Sequence, residues 1–170
     1  PTFVLDTELS KTYVAEDIPN WYTNWTEMHD ALLTLGEQTG FLGQVTHVWD
    51  VGTTCTDTVG WSLEVDIAYF ETEQGALAYF NDTTVNDLWL ASGYYSSFET
   101  TSDGGILATA KFPYESCGDA PFYAKTLLHG RYMVSAAVIG NPNADPKELS
   151  DAVDLMANYL LQKLDQAGLQ

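Results

Sequence analysis

Apolar residues recur along this chain with two periods, and each change of period marks an element. Residues 1–16, PTFVLDTELSKTYVAE, alternate without a helical stripe and read as an extended N-terminal arm or an edge strand able to pair with a neighbour. From Asp17 and Pro19 the period lengthens. Trp21, Trp25, Met28, Leu32 and Leu35 fall on one helical face, and Gly36 is the stop signal. Two alternating runs follow: Val45, His47, Trp49 and Val51 are out of phase with Thr46 and Asp50, and Trp61, Leu63, Val65, Ile67 and Tyr69 with Ser62, Glu64 and Asp66. That is the pattern of two half-buried strands. Thr72 predicts the N-cap of a short helix with Ala76, Leu77 and Phe80 inward, and Val85, Leu88 and Trp89 predict a second one.

The segment from Tyr94 to Phe112 reads as a hairpin turning at Asp103-Gly104, since both residues tolerate positive φ. A second hairpin turns at His129-Gly130; its second arm, YMVSAAVI, is apolar on both faces, as a central strand must be. Asp145, Pro146 and Glu148 form a capping box ahead of a long helix whose buried stripe is Leu149, Ala152, Val153, Met156, Leu160 and Leu164. The element order predicts an α+β fold, a mainly antiparallel sheet of about six strands with the N-terminal and C-terminal helices packed on one face. Residues 17–170 form a single domain behind the arm, because a chain of this length suffices for one core and is short for two.

Charge changes the list of partners. The chain carries 24 Asp and Glu against 6 Lys and Arg, a formal net charge of −18. Such a surface repels phosphate backbones and anionic lipid, which argues against nucleic acid. No apolar run reaches the roughly 18 residues that span a bilayer, so no membrane insertion is expected. With 45% hydrophobic residues the chain is nonetheless one that folds, and its scattered acids, beside a single arginine (Arg131), read as a solvating surface more than a cation-binding face.

Cys55 and Cys117 stand in Gly/Thr/Asp/Ser-rich loops and read as one disulfide, two unrelated thiols being the alternative. A bridge closing about 60 residues contributes roughly 4 kcal/mol on the loop-entropy account. Together with a chain that opens at Pro1 without methionine or leader-like stretch, it points to a processed, secreted or extracytoplasmic protein at the cell surface or in a periplasm.

The ending GRYMVSAAVIGNPNADPKELSDAVDLMANYLLQKL is a strand, a polar Gly/Asn/Pro turn and a closing helix. It resembles the tails of secreted bacterial α+β domains, of which the extracellular sensor domains of mycobacterial serine/threonine kinases are one example. The resemblance covers about the last 50 residues and is one of pattern; members of that family usually form two disulfides, whereas this chain has two cysteines. It implies location and architecture, and carries no functional residue over.

Chemistry-bearing residues are few. His29 lies beside the helical stripe, His47 alternates with Val45 and Trp49, and His129 occupies a turn, without metal-ligand spacing. Glu64 and Asp66, two apart on a strand, project to one face, which is how a paired-acid site begins and also how a solvated sheet face looks; Lys111 and Lys125 would neutralise them as cross-strand pairs. Asn141, Asn143 and Asp145 imitate the opening of a calcium loop, but Pro146 replaces its glycine and Ala152 its twelfth ligand, leaving at most a weak Ca²⁺ site. Asn24 and Asn81 head glycosylation sequons, relevant in a eukaryotic source. No nucleophile elbow, phosphate loop or cofactor signature is present, so no catalytic residue and no cofactor is assigned.

The first functional reading is therefore a non-enzymatic extracytoplasmic binding or assembly module, a sensor, adhesion or structural subunit, contacting a protein partner or its own kind through the N-terminal arm. The second is a binder of small hydrophobic or aromatic ligands with a pocket lined by Trp49, Trp61, Phe80 and Trp89. The third is a carboxylate-dependent hydrolase built on Glu64, Asp66 and His47. The aromatic excess, with Trp21, Tyr22, Trp25, Tyr94, Tyr95, Tyr114, Tyr123 and Tyr132 beyond what a Leu/Val/Ala core needs, supports exposed rings at an interface or cleft.

Overall fold

A strand that is apolar on both sides has to be covered on both sides, and this requirement organises the fold. A computed structural model describes residues 4–50, 62–114 and 118–169. In chain order it has β1 (Val4–Val14), a 3₁₀ turn (Ala15–Asn20), α1 (Thr26–Thr39), β2 (Phe41–Asp50), β3 (Ser62–Phe70), α2 (Glu73–Asn81), α3 (Thr84–Ala91), β4 (Tyr95–Thr100), β5 (Ile106–Tyr114), β6 (Gly118–His129), β7 (Tyr132–Ile139) and α4 (Pro146–Gln166). The strands form one antiparallel sheet of seven, ordered β1-β2-β3-β7-β6-β5-β4, with YMVSAAVI at its centre. The α+β class and the antiparallel sheet are those expected, with seven strands where about six were counted.

The placement of the terminal helices corrects the expectation that they share one face. Helix α4 lies on the face formed by Leu63, Val65, Ile67, Tyr123, Leu127, Val134, Ala136 and Val138, burying Leu149, Val153, Ala157 and Leu164. Burial of each leucine or valine there contributes about 1.5–3 kcal/mol. The carboxylate of Asp145 caps α4 by accepting from the Lys147 N–H at 2.8 Å. Helix α1 packs on the opposite face, where Met28 and Leu32 meet Ala68, Phe70 and Met133. The physical reason is β7: alternate residues of one strand supply both cores, so each face needs its own helix.

Local structure departs from the pattern around α1. The apolar stripe begins at Trp21, but the chain makes a 3₁₀ turn through Pro19, then turns again before α1 starts at Thr26. The Asp17 carboxylate accepts from the Val14 N–H at 2.8 Å, and Trp21 N–H donates to the Ile18 carbonyl at 2.9 Å, which closes the short turn. Asn24 consequently lies exposed ahead of α1 and not within a helix; Asn81, also exposed, ends α2. Gly36 does not stop α1. It is buried inside the helix, where a Cβ would sit 2.7 Å from the Ile18 methyl, and Gly40, at φ 65°, ends the helix.

On the α4 face, Lys125 is buried and its ammonium bridges Asp103 in the β4–β5 turn (2.7 Å) and Asp154 on α4 (2.6 Å). One cation thus ties a hairpin tip and a helix to the sheet. Cys55, Cys117 and Trp61 lie outside the described residues. The flanking strand ends, Asp50 and Ser62 on one side and Tyr114 and Gly118 on the other, stand at the same end of the sheet by register.

Candidate functional site

The face opposite α4 is only partly covered. Helices α1–α3 sit over the end near the β6–β7 turn, and the remainder is left as the floor of a cleft of about 760 Å³. Alternation within β2 and β3 sends Gln44, Thr46, Val48, Ser62 and Glu64 up into it. The walls come from distant parts of the chain: Leu9 and Tyr13 of β1, Trp21 and Tyr22 of the segment before α1, Tyr79 of α2, Val85 and Trp89 of α3, and Tyr95 of β4. Residues of both edge strands thereby line one space, so the sheet curves around it.

Trp89 is the hub of the rings. Its indole meets Trp25 at 5.1 Å, Tyr94 at 5.0 Å, and Tyr22 and Tyr95 at 5.5 Å between centroids, three of these four contacts edge-to-face. Tyr22 is the one non-glycine among the described residues with φ in the left-handed region, at 50°. That conformation is costly for a tyrosine. Here it turns the ring from the 3₁₀ segment onto Trp89, and the Trp25 N–H donating to the Tyr22 carbonyl at 2.8 Å holds the bend. His29 Nδ1 lies 2.9 Å from the Trp21 carbonyl and steadies the same segment.

Beneath the rings lies a carboxyl pair. Asp66 Oδ1 accepts from the Gln44 amide at 2.8 Å and from the Thr46 hydroxyl at 2.5 Å, across the β2–β3 register. Glu64, one pleat further along, hydrogen-bonds to Asp66. Burial first, then the neighbouring Asp66 charge, pushes the Glu64 carboxyl up to about 8. Burial also raises Asp66, against the lowering effect of its donors Thr46, Glu64 and Gln44. Glu64 is therefore largely protonated at neutral pH and donates to Asp66, whose Oδ1 also accepts from Gln44 and Thr46. Burial likewise raises the Tyr22, Tyr79 and Tyr95 hydroxyls, and Glu64 adds to the effect at Tyr22 and Tyr95.

These positions revise the chemistry read from the sequence. Glu64 and Asp66 are not on a solvated face; both are half-buried, Glu64 in the floor of the cleft and Asp66 beside it under Gln44 and Thr46. Lys125 is on the other face, engaged with Asp103 and Asp154, and Lys111 is exposed on β5, so neither neutralises the pair. His47 is exposed on the α4 side of the sheet, stacked on Trp49 at 5.8 Å, which separates it from both acids. Of the four pocket residues expected, Trp89 lines the cleft; Trp49 points to the opposite face because its phase on β2 is that of His47, and half-buried Phe80 on α2 does not line it. Asn141 Oδ1 accepts from the Asn143 N–H at 3.0 Å and Asp145 caps α4, so the oxygens proposed for Ca²⁺ serve the turn. Gln44, Thr46, Tyr13, Tyr22, Tyr79 and Tyr95 were not singled out as one site from the sequence. The available signal was Thr46 standing out of phase beside the alternating acids, but the register that pairs it with Asp66 is a property of the sheet.

No protein-family profile and no curated protein matches the chain. In three dimensions it is similar to the crystal structure of the extracellular domain of PknH from Mycobacterium tuberculosis. The TM-score is 0.55, with 11% sequence identity, over 98% of this chain and 84% of that one. The resemblance noted in residues 130–164 therefore extends to the fold of nearly the whole chain.

Proposed function

We propose that this protein is a non-enzymatic extracytoplasmic binding module of the sensor type, and that it takes a small organic molecule into the cleft. The observation that carries the reading is the cleft itself: about 760 Å³, walled by six Trp and Tyr side chains over a polar floor. That volume and lining are those of small-ligand sites. The strained Tyr22 and the edge-to-face contacts of Trp89 set the walls in place before any ligand arrives, which lowers the ordering cost of binding. The fold likeness to an extracellular domain and the acidic composition support the location. A hydrolase of the glycosidase kind is disfavoured, because its two carboxyl groups stand about 5–10 Å apart, whereas Glu64 and Asp66 are hydrogen-bonded to each other.

A second reading, association through the N-terminal strand, draws on one observation. β1 is an edge strand with Val4, Leu5, Leu9 and Val14 exposed. Its pairing with β2 is interrupted between Asp6 and Lys11, and the Asp6 carboxylate accepts from the Glu8 and Leu9 N–H groups there. Such an irregular, charged edge is poorly suited to continuous strand addition.

The test is a thermal-shift screen of small organic molecules against the purified chain, followed by titration of hits into Tyr22→Gly. Glycine accepts the left-handed φ at this position, so the variant removes a ring without unfolding the segment. Hits that weaken about tenfold in the variant support the cleft; hits of unchanged affinity, or none, overturn it.

A further inference from the structure

We infer that the cleft selects a small organic monocation, an ammonium group on an apolar or aromatic body, seated with its charge over the Glu64–Asp66 pair and its body among Tyr22, Trp89 and Tyr95. The inference rests on the cleft being the ligand site and adds the ligand's charge class.

Two independent features converge. The first is the wall: the faces of Trp and Tyr rings attract cations through their quadrupoles, and the effect strengthens where water is excluded. The second is the floor. The carboxyl pair carries negative charge into a half-buried site, and no lysine, arginine or histidine among the described residues lines the cleft. A buried anion without a counter-charge is costly, and a cationic ligand supplies the missing partner. The chain's basic residues are otherwise placed. Lys125 is engaged beneath the opposite face, and Lys147 pairs with Asp151 on α4. Lys163 lies near the end of α4, while Lys111 and Arg131 are exposed. Lys11, which opposes Thr46 across β1 and β2, is exposed at the edge and makes no ion pair with Glu64 or Asp66.

A metal ion fits this floor less well. Calcium asks for six to eight oxygen ligands, whereas Thr46, Gln44 and Glu64 already direct their hydrogen bonds to Asp66 and the rest of the lining, Ser62 apart, is aromatic and aliphatic side chains. An ammonium needs only one or two acceptors and gains from the rings.

The experiment is calorimetric titration of the full chain with two matched pairs that differ only in charge, 2-phenylethylammonium against 2-phenylethanol and cyclohexylammonium against cyclohexanol, with calcium chloride as a separate arm. The expected result is an ammonium affinity at least tenfold above that of its alcohol, reduced about tenfold by Asp66→Asn and by Tyr22→Gly, and within about twofold of wild type in Glu64→Gln, which keeps the Asp66 carboxylate. In Asp66→Asn the alcohol affinity should stay within twofold. Equal affinities for ammonium and alcohol, both weakened in Tyr22→Gly, overturn the charge assignment and leave the cleft as the site. Calcium binding that displaces the ammonium overturns the organic-cation assignment. Failure of all four organic probes to bind at millimolar concentration overturns both this inference and the reading on which it rests.

Discussion

Glu64→Gln should change how the stability of this protein depends on pH. In the native state burial and Asp66 raise the Glu64 carboxyl from the ordinary 4.5 to about 8, so the folded chain keeps a proton that the unfolded chain releases. The sign follows: the contribution of this group is fully present below about pH 4.5 and is lost as pH rises towards 8. Each pH unit inside that window costs at most about 1.4 kcal/mol per proton, which puts an upper bound of roughly 5 kcal/mol on the whole shift. The cleft is open to water, and solvent screening reduces this to about 1–2 kcal/mol between pH 5 and pH 8. Glutamine keeps the shape and donates an amide hydrogen to Asp66 as the protonated Glu64 does, but has nothing to titrate. Urea denaturation followed by tryptophan fluorescence, at constant ionic strength and at each pH unit from 5 to 8, gives both stability curves. The variant should gain about 1–2 kcal/mol on the wild type from the acid end to the alkaline end. Acidic residues away from the pair are common to both chains and cancel in the difference, which therefore reports Glu64 together with its coupling to Asp66. Parallel curves, agreeing within about 0.3 kcal/mol at every pH, would refute the shared-proton reasoning.

Lys125→Met should be nearly neutral, since methionine fills the apolar channel and leaves two partly exposed carboxylates to water. Asp103→Asn/Asp154→Asn should instead cost about 3 kcal/mol by stranding a buried ammonium, and chemical denaturation that ranks the two the other way sinks the argument. Gly75→Ala should destabilise by at least about 2 kcal/mol in the same assay, because its Cβ would lie 1.9 Å from the Thr39 carbonyl oxygen, backbone that cannot yield. A chain carrying the Cys55–Cys117 bridge should be two daltons lighter by intact mass before reduction than after and lose about 4 kcal/mol on reduction; equal masses would leave two thiols. Deleting residues 1–16 should lower stability without altering the native mass, since β1 pairs along β2 and walls the cleft; a fall in oligomeric state would favour the assembly reading.

Local periodicity was enough to determine most of the elements. The two-sided apolar arm YMVSAAVI is the central strand, Asp145 caps the last helix, Thr72 caps α2 by accepting from the Gly75 N–H, and positive φ at Gly104 and Gly130 makes the two hairpin turns. These depend on a few consecutive residues whose preferences act alone. The α1 region was misread for a reason of the opposite kind: Gly36 signals a helix end locally, yet Ile18 needs its missing side chain, and only the packed structure brings the two together.

The site was legible as ingredients and not as an arrangement. Composition showed more rings than a core requires, and alternation put Glu64 and Asp66 on one face. Which face that was depended on where α1 and α4 settled, because either side of a sheet can be the wet one. Trp49 and Trp89 look alike as apolar positions in the chain; the phase of Trp49 on β2 sends it to the opposite face, while the short α3 holds Trp89 above the acids. The amino-acid sequence by itself determined that there would be one antiparallel sheet, two long amphipathic helices, a surplus of aromatic rings and a strongly anionic surface. Tertiary structure alone decided that a carboxyl pair would sit under those rings without a basic residue beside it, since register, sheet curvature and helix placement join residues from β1 to β4 that no local pattern connects.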